Sequence, residues 1–167
     1  VVVGHQREQG EAHLREFAPN VIVAVQERQN GTGDAVRSGL ASIPDVQGEV
    51  VVTMGDVPLL SGETLQALVA RHRSNGDAVT ILTSLLDDPT GYGRIVRDPD
   101  GVQVARIVEE KDCTPEQAAV TEINSGIYVF QADVLRDGLA SLNTENAQGE
   151  LYLTDVITYA RSVGRFV

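Results

Sequence analysis

The chain has 167 residues with 42% hydrophobic and 22% charged content, enough to bury one ordinary core and consistent with one domain or part of one. A net charge of −11 excludes the clustered Lys and Arg that nucleic acid or an anionic membrane surface requires, and the lone Cys113 excludes a disulfide framework or a thiolate metal cluster. No apolar run approaches the ~20 residues that span a bilayer and no signal-peptide pattern opens the chain, so it reads as cytosolic.

Residues 1–3 are a predicted buried strand that turns at Gly4-His5. Strands are also predicted over 21–25, 50–53 and 78–82, all with little polar alternation, which suits a sheet covered on both faces. Between them the spacing predicts helices over 34–42 and 63–73, the second capped by Ser61 and carrying Leu65, Leu68 and Val69 on one face. The alternation points to an α/β sheet with right-handed crossovers. Residues 93–96 and 102–108 are expected to pair antiparallel across the polar turn Arg97-Asp98-Pro99-Asp100-Gly101. Thr114-Pro115-Glu116-Gln117 has the pattern of a capping box that starts a helix. A strand over 122–130 is interrupted at Ser125-Gly126, and a last helix carries Leu153, Val156, Ile157, Ala160 and Val163 before Gly164 stops it. Both ends read as cut: no Met precedes Val1, and Arg165-Phe166-Val167 looks like the opening of another strand. The expectation is an internal piece of a longer protein.

Several segments could carry chemistry. Gln26-Glu27-Arg28-Gln29-Asn30-Gly31-Thr32-Gly33-Asp34 follows a strand and opens a helix, where free backbone N–H groups and glycines could meet a phosphate or a nucleobase edge held by Gln26 and Thr32. The alternative is a tight turn with Thr32 or Asp34 as a cap. Met54-Gly55-Asp56-Val57-Pro58-Leu59 puts one carboxylate at the end of a buried strand, as a metal ligand or as a cap of the next turn. Gly91-Tyr92-Gly93-Arg94-Ile95 leaves room for a ring or sugar against the backbone, or is a structural loop. In Val108-Glu109-Glu110-Lys111-Asp112, Glu109 could accept from sugar hydroxyls, while Glu110, Lys111 and Asp112 read as a solvated loop. Asn124 sits in an apolar strand and must bond a ligand or neighbouring backbone. Asn146-Ala147-Gln148-Gly149-Glu150 fits no packed face, so something other than the core is expected to dictate it. His5, His13 and His72 show no ligand spacing and are expected on the surface, and Cys113 lacks the surroundings of a catalytic thiol.

Taken in order over nearly the whole chain, these motifs resemble the uridylyltransferase domain of the bacterial bifunctional N-acetylglucosamine-1-phosphate uridylyltransferase/glucosamine-1-phosphate acetyltransferases, the 146–150 run being the most specific. The resemblance implies a Rossmann-like nucleotidyltransferase fold with a mixed, mostly parallel sheet. It implies synthesis of UDP-N-acetylglucosamine and pyrophosphate from UTP and N-acetylglucosamine 1-phosphate with Mg²⁺, in the cytoplasm, for cell-wall precursors. Gln26, Gly31 and Thr32 would then hold the uracil, Met54 and Gly55 line the nucleotide site, Asp56 ligate Mg²⁺, and Gly93, Glu109 and Asn124 contact the N-acetylglucosamine moiety. Two positions depart from the pattern: Met54 stands where many relatives have Tyr, and Glu110 where His is frequent. The family's N-terminal Gly-rich loop with its cationic residues, its second metal ligand, and the C-terminal β-helix that carries acetyl transfer and trimerisation all lie outside this sequence. The piece alone is therefore expected to be inactive. The alternatives are another sugar-1-phosphate nucleotidyltransferase, or a non-catalytic sugar-nucleotide binder.

Overall fold

The computed structural model describes residues 1–4 and 7–167, so His5 of the predicted turn lies outside the described residues. β1 (Val2–Val3) and β2 (Ala24–Val25) form a parallel pair, with Val2 opposite Ala24. Between them runs α1 (Arg7–Phe17), which buries no residue and whose polar sequence carries no apolar stripe to announce it. α2 (Thr32–Ala41) leads from this pair to the larger sheet.

That sheet holds β3 (Glu49–Val52), β4 (Val79–Leu85), β5 (Arg94–Arg97), β6 (Val104–Val108) and β7 (Glu122–Gln131). β7 organises it: Phe130 pairs with Val50 of β3 on one side and Val79 of β4 on the other, and Ile123 pairs with Arg94 of β5. β6 closes the edge against β5, antiparallel as expected. The α/β architecture with mixed strand directions stands, but its pairing is not mostly parallel. β3, β4 and β5 run the same way, yet each pairs antiparallel with β7, leaving β1–β2 as the parallel pair among the described strands. Continuous apolar runs report burial on both faces and carry no information about a neighbour's direction. The break expected at Ser125-Gly126 is a bulge: the β4–β7 register shifts between Leu82 and Thr83, and Gly126 takes φ +78°.

The main core lies between this sheet and two helices, α5 (Ala132–Ser141) and α6 (Asp155–Ser162), with Tyr128, Phe130, Leu135, Leu153, Val156 and Ile157 fully buried. α5 starts directly off β7 with no side-chain cap at Gln131, so no local signal separates strand from helix. In α6 the predicted apolar face holds except at Val163, which is 52% exposed beyond the helix end. On the other face α3 (Gly62–Asn75) lays Leu65, Leu68 and Val69 against Ile127 and Val129, and the predicted Ser61 cap accepts from the Thr64 N–H at 3.1 Å. The Thr114–Gln117 capping box forms as expected on the short α4 (Pro115–Ala118). Residues 165–167 form no strand, although the Phe166 carbonyl accepts from the Ala78 N–H at 3.0 Å.

His13 is exposed as expected, but His72 is not a surface residue. Its ring is fully buried, with Nδ1 2.9 Å from the Thr80 hydroxyl and Nε2 3.0 Å from the Gln131 amide nitrogen. Burial pushes its pKa down, so at neutral pH it is an uncharged polar member of the core joining α3 to β4 and β7.

Candidate functional site

Three of the residues singled out from sequence meet in one place. A Cβ built on Gly93 would lie 3.4 Å from Glu109 Oε2 and 3.6 Å from Asn124 Cβ, and the Asn124 N–H donates to the Gly93 carbonyl at 2.9 Å. Gly93 leads into β5, Glu109 directly follows β6, and Asn124 precedes the β7 bulge, so strand pairing brings them together. The Asn124 side chain is bonded within the protein: Nδ2 donates to the Tyr128 hydroxyl at 2.7 Å and Oδ1 accepts from the Gly126 N–H at 3.1 Å. An amide keeps one further N–H and one further lone pair for a ligand.

Glu109 is held by the Thr154 hydroxyl, which donates to Oε1 at 3.1 Å. Burial pushes its carboxyl above the usual range, the Thr154 bond opposes this, and the nearby Asp112 and Asp155 charges add to it. A carboxyl whose folded pKa is raised destabilises the fold once it ionises above its unfolded pKa, and the cost disappears below that value. Glu109→Gln is therefore expected to raise the urea midpoint at about pH 7.5 and to lose that gain near about pH 4. An unchanged or lower midpoint at the higher pH contradicts a burial cost at this position.

A second cluster forms at the β2–α2 turn. Gln26 Nε2 donates to the Gly31 carbonyl and to Asp34 Oδ2, both at 3.0 Å. Neither Thr32 nor Asp34 caps α2; Gly31 is the N-cap residue and makes no side-chain bond. The expected room for a ligand beside the turn glycines is filled by protein. A Cβ on Gly31 would lie 2.6 Å from the Leu151 carbonyl oxygen, and one on Gly33 would lie 2.5 Å from Leu142 Cδ1.

The 146–154 segment joins the two clusters. Leu151 N–H donates to the Asn30 carbonyl and Gly33 N–H to the Leu151 carbonyl, both at 2.8 Å, and Leu153 N–H donates to the Thr32 hydroxyl oxygen at 3.0 Å. Three residues on from Leu151, Thr154 grips Glu109. The Asn146 side chain shapes the loop from within, donating to the Glu150 carbonyl at 2.6 Å and accepting from the Gln148 and Glu150 N–H groups. Lys111 and Asp112 are not merely solvated. Lys111 Nζ donates to Gln148 Oε1 at 2.7 Å, and Asp112 accepts from the Ala147 N–H at 2.8 Å and the Tyr152 hydroxyl at 3.3 Å.

Met54, Gly55 and Thr32 line a cleft of about 760 Å³ between the β1–β2 pair and β3. Met54 also reaches β7, where a Cβ on Gly126 would lie 2.9 Å from its Cγ. Asp56 is exposed just past β3. Among the described residues no group of three or more His, Cys, Asp or Glu side chains could hold a metal ion. Burial pushes the Cys113 thiol up, against a reactive thiolate.

Sequence reasoning missed Thr154, Asp34, Asp112 and the buried Arg94, whose guanidinium donates to the Tyr92 carbonyl and to the Ala118 carbonyl at 3.4 Å, and lies 3.6 Å from Glu110. Thr154 and Asp112 meet partners at least 35 positions away and Arg94 also reaches Ala118, 24 positions on, so the fold brings these into reach, whereas Asp34 bonds Gln26 and Arg37 nearby in the chain.

Curated relatives match the sequence over almost the whole chain. It is 59% identical over 160 residues to the bifunctional protein GlmU of Cutibacterium acnes, covering 96% of this chain and 38% of that protein. It is 54% identical over 167 residues to the bifunctional protein GlmU of Streptomyces coelicolor, covering 99% and 35%. The chain thus spans little more than a third of the length of these relatives. A solved UDP-glucose pyrophosphorylase complexed with UDP-glucose has the same fold, with a TM-score of 0.70 at 14% identity over 98% of this chain and 69% of that one. The family described as nucleotidyl transferase matches residues 1–165, and the chain belongs to that family.

Proposed function

We propose that the chain is the uridylyltransferase portion of a longer bifunctional enzyme, making UDP-N-acetylglucosamine from UTP and N-acetylglucosamine 1-phosphate. The observation that carries this reading is the adjacency of Gly93, Glu109 and Asn124, tied through Thr154 to the segment zipped onto the Gln26–Asp34 turn. One framework thereby fixes one polar cluster relative to the other.

In this reading Gln26, Gly31 and Thr32 hold the uracil, and Met54 and Gly55 line the nucleotide cleft. Glu109 accepts from sugar hydroxyls, Gly93 lets Ile107, Glu109 and Asn124 pack close to its backbone, and Asn124 offers its remaining amide capacity. A phosphate oxygen of the sugar phosphate attacks the α-phosphorus of UTP, the bond to the bridging oxygen breaks, and pyrophosphate leaves with the electron pair. No protein nucleophile is needed, so the side chains position and the charges stabilise. Asp56 would hold Mg²⁺ with waters and substrate phosphates; one exposed carboxylate suits an ion that keeps most of its waters. When bound, Mg²⁺ supplies charge neutralisation at the phosphates.

The walls of the cleft between the β1–β2 pair and β3 include Val2, Val36, Leu40, Val50 and Val52, which suits a further strand from an upstream segment. Among the described residues no helix is long and apolar enough to cross a membrane. A cytoplasmic enzyme of cell-wall precursor synthesis, trimeric and acetylating glucosamine 1-phosphate through a downstream domain, completes the proposal. Pyrophosphate release by the full-length protein tests it. Release is expected from UTP with N-acetylglucosamine 1-phosphate and not from dTTP with glucose 1-phosphate. Preference for the second pair, or no release from a folded protein, contradicts it.

A further inference from the structure

We infer that Asp34 determines which atom of the Gln26 amide a nucleobase meets, and so acts as a positioning residue that selects uracil over cytosine. The inference rests on the proposed role of Gln26 at the base. Asp34 is buried, 8% exposed at the start of α2. Its Oδ2 and the Gly31 carbonyl both accept from Gln26 Nε2, while its Oδ1 accepts from Arg37 Nη2 at 2.6 Å. A carbonyl and a carboxylate can only accept, so an inverted Gln26 amide would set oxygen against two oxygens. Both N–H groups of the amide are thus used within the turn. Oε1 is left for the ligand, and among the described residues nothing donates to it.

An acceptor at that place matches a base that donates from its ring N3, as uracil does. In the same pose cytosine presents the N3 lone pair, and two acceptors face each other. Discrimination follows from the repulsive arrangement as much as from the attractive one. Removing the Asp34 carboxylate leaves the Gly31 carbonyl alone to oppose a turned amide that donates to cytosine, which weakens the preference.

The test compares kcat/KM for UTP and CTP, with N-acetylglucosamine 1-phosphate, in the full-length protein. Asp34→Ala is expected to lower the UTP-to-CTP ratio by about tenfold or more. Asp34→Asn, which can still offer an oxygen to Nε2, is expected to keep the ratio near that of the wild type. A purely structural role would lower both nucleotides together and leave the ratio unmoved. If Asp34→Ala shows no folding transition, Asp34→Ser carries the same expectation, because its hydroxyl is too short to reach Nε2. A wild type that turns over neither nucleotide overturns the proposed function itself. A wild type that uses UTP and CTP equally, or a folded Asp34→Ala with unchanged preference for UTP, overturns the inference about Asp34 alone.

Discussion

Gly31→Ala is expected to cost about 3–5 kcal/mol of folding stability, more than any exposed substitution in the chain. Two independent effects combine. Gly31 has φ +99° and ψ 175°, a region that residues with a Cβ rarely enter. The new methyl would also sit 2.6 Å from the Leu151 carbonyl oxygen and 2.9 Å from Glu150 Cβ, so the backbone of one loop must move. That movement breaks the close approach at which Leu151 N–H meets the Asn30 carbonyl and Gly33 N–H meets the Leu151 carbonyl. Urea denaturation of the full-length protein checks the cost. A midpoint equal to the wild type would mean that the two loops are not in the contact described. Gly55→Ala is the control, since no heavy atom lies within 4 Å of the Cβ it would add. Exposed changes of this kind typically stay within about 0.5 kcal/mol.

Asp56→Asn is expected to lower kcat/KM for pyrophosphate release by about a thousandfold while leaving stability nearly unchanged. Asp56 is exposed just past β3, so the fold gains little from its charge. The proposed role needs that charge: an amide binds a hard divalent cation far more weakly than a carboxylate does. The loss should shrink as Mg²⁺ is raised, because the substrate phosphates still bind the ion. A variant with wild-type kcat/KM at low Mg²⁺ would remove Asp56 from the site. One that loses stability in parallel would assign it a structural role in the turn before Pro58.

Much of this architecture is legible in the sequence because it is local. The Ser61 cap and the Thr114–Gln117 box each depend on residues within a few positions and form as expected, and the interruption expected at Ser125-Gly126 is a bulge within a continuous β7. α1 was not legible, because a helix that buries nothing needs no apolar period. α5 has the period, with Val134, Leu135, Gly138 and Leu139 buried, but it continues β7 without a break. Strand direction was illegible for a different reason: β7 is buried on both faces whichever way its neighbours run.

At the site, residue types with few bland explanations could be found. Gly93, Glu109 and Asn124 stand together in the fold. What failed was the reading of reasons. The glycines at 31 and 33 make room for Leu142 and Leu151, where the sequence suggested room for a ligand. Asn146 organises its own loop, and Asp112 anchors that loop from a segment read as solvated. His72 looked like surface because a histidine preceded by Arg71 and followed by Arg73 gives no local sign of burial; its partners Thr80 and Gln131 come from other elements. The partners of the two glycines and of Asp112, and the Gln131 partner of His72, lie far along the chain, where composition and spacing cannot supply them, whereas Asn146 bonds within its own loop.

The central claim is that the Gln26–Asp34 turn and the Gly93–Glu109–Asn124 cluster are two halves of one ligand site. Amide hydrogen exchange of the full-length protein, with and without UDP-N-acetylglucosamine and Mg²⁺, tests this most directly. Slowed exchange is expected together in segments 26–34, 91–94, 109–112 and 124–126, and in the 146–154 segment that joins them. Binding of UDP-N-acetylglucosamine that protects only one of the two halves, or neither, would contradict it.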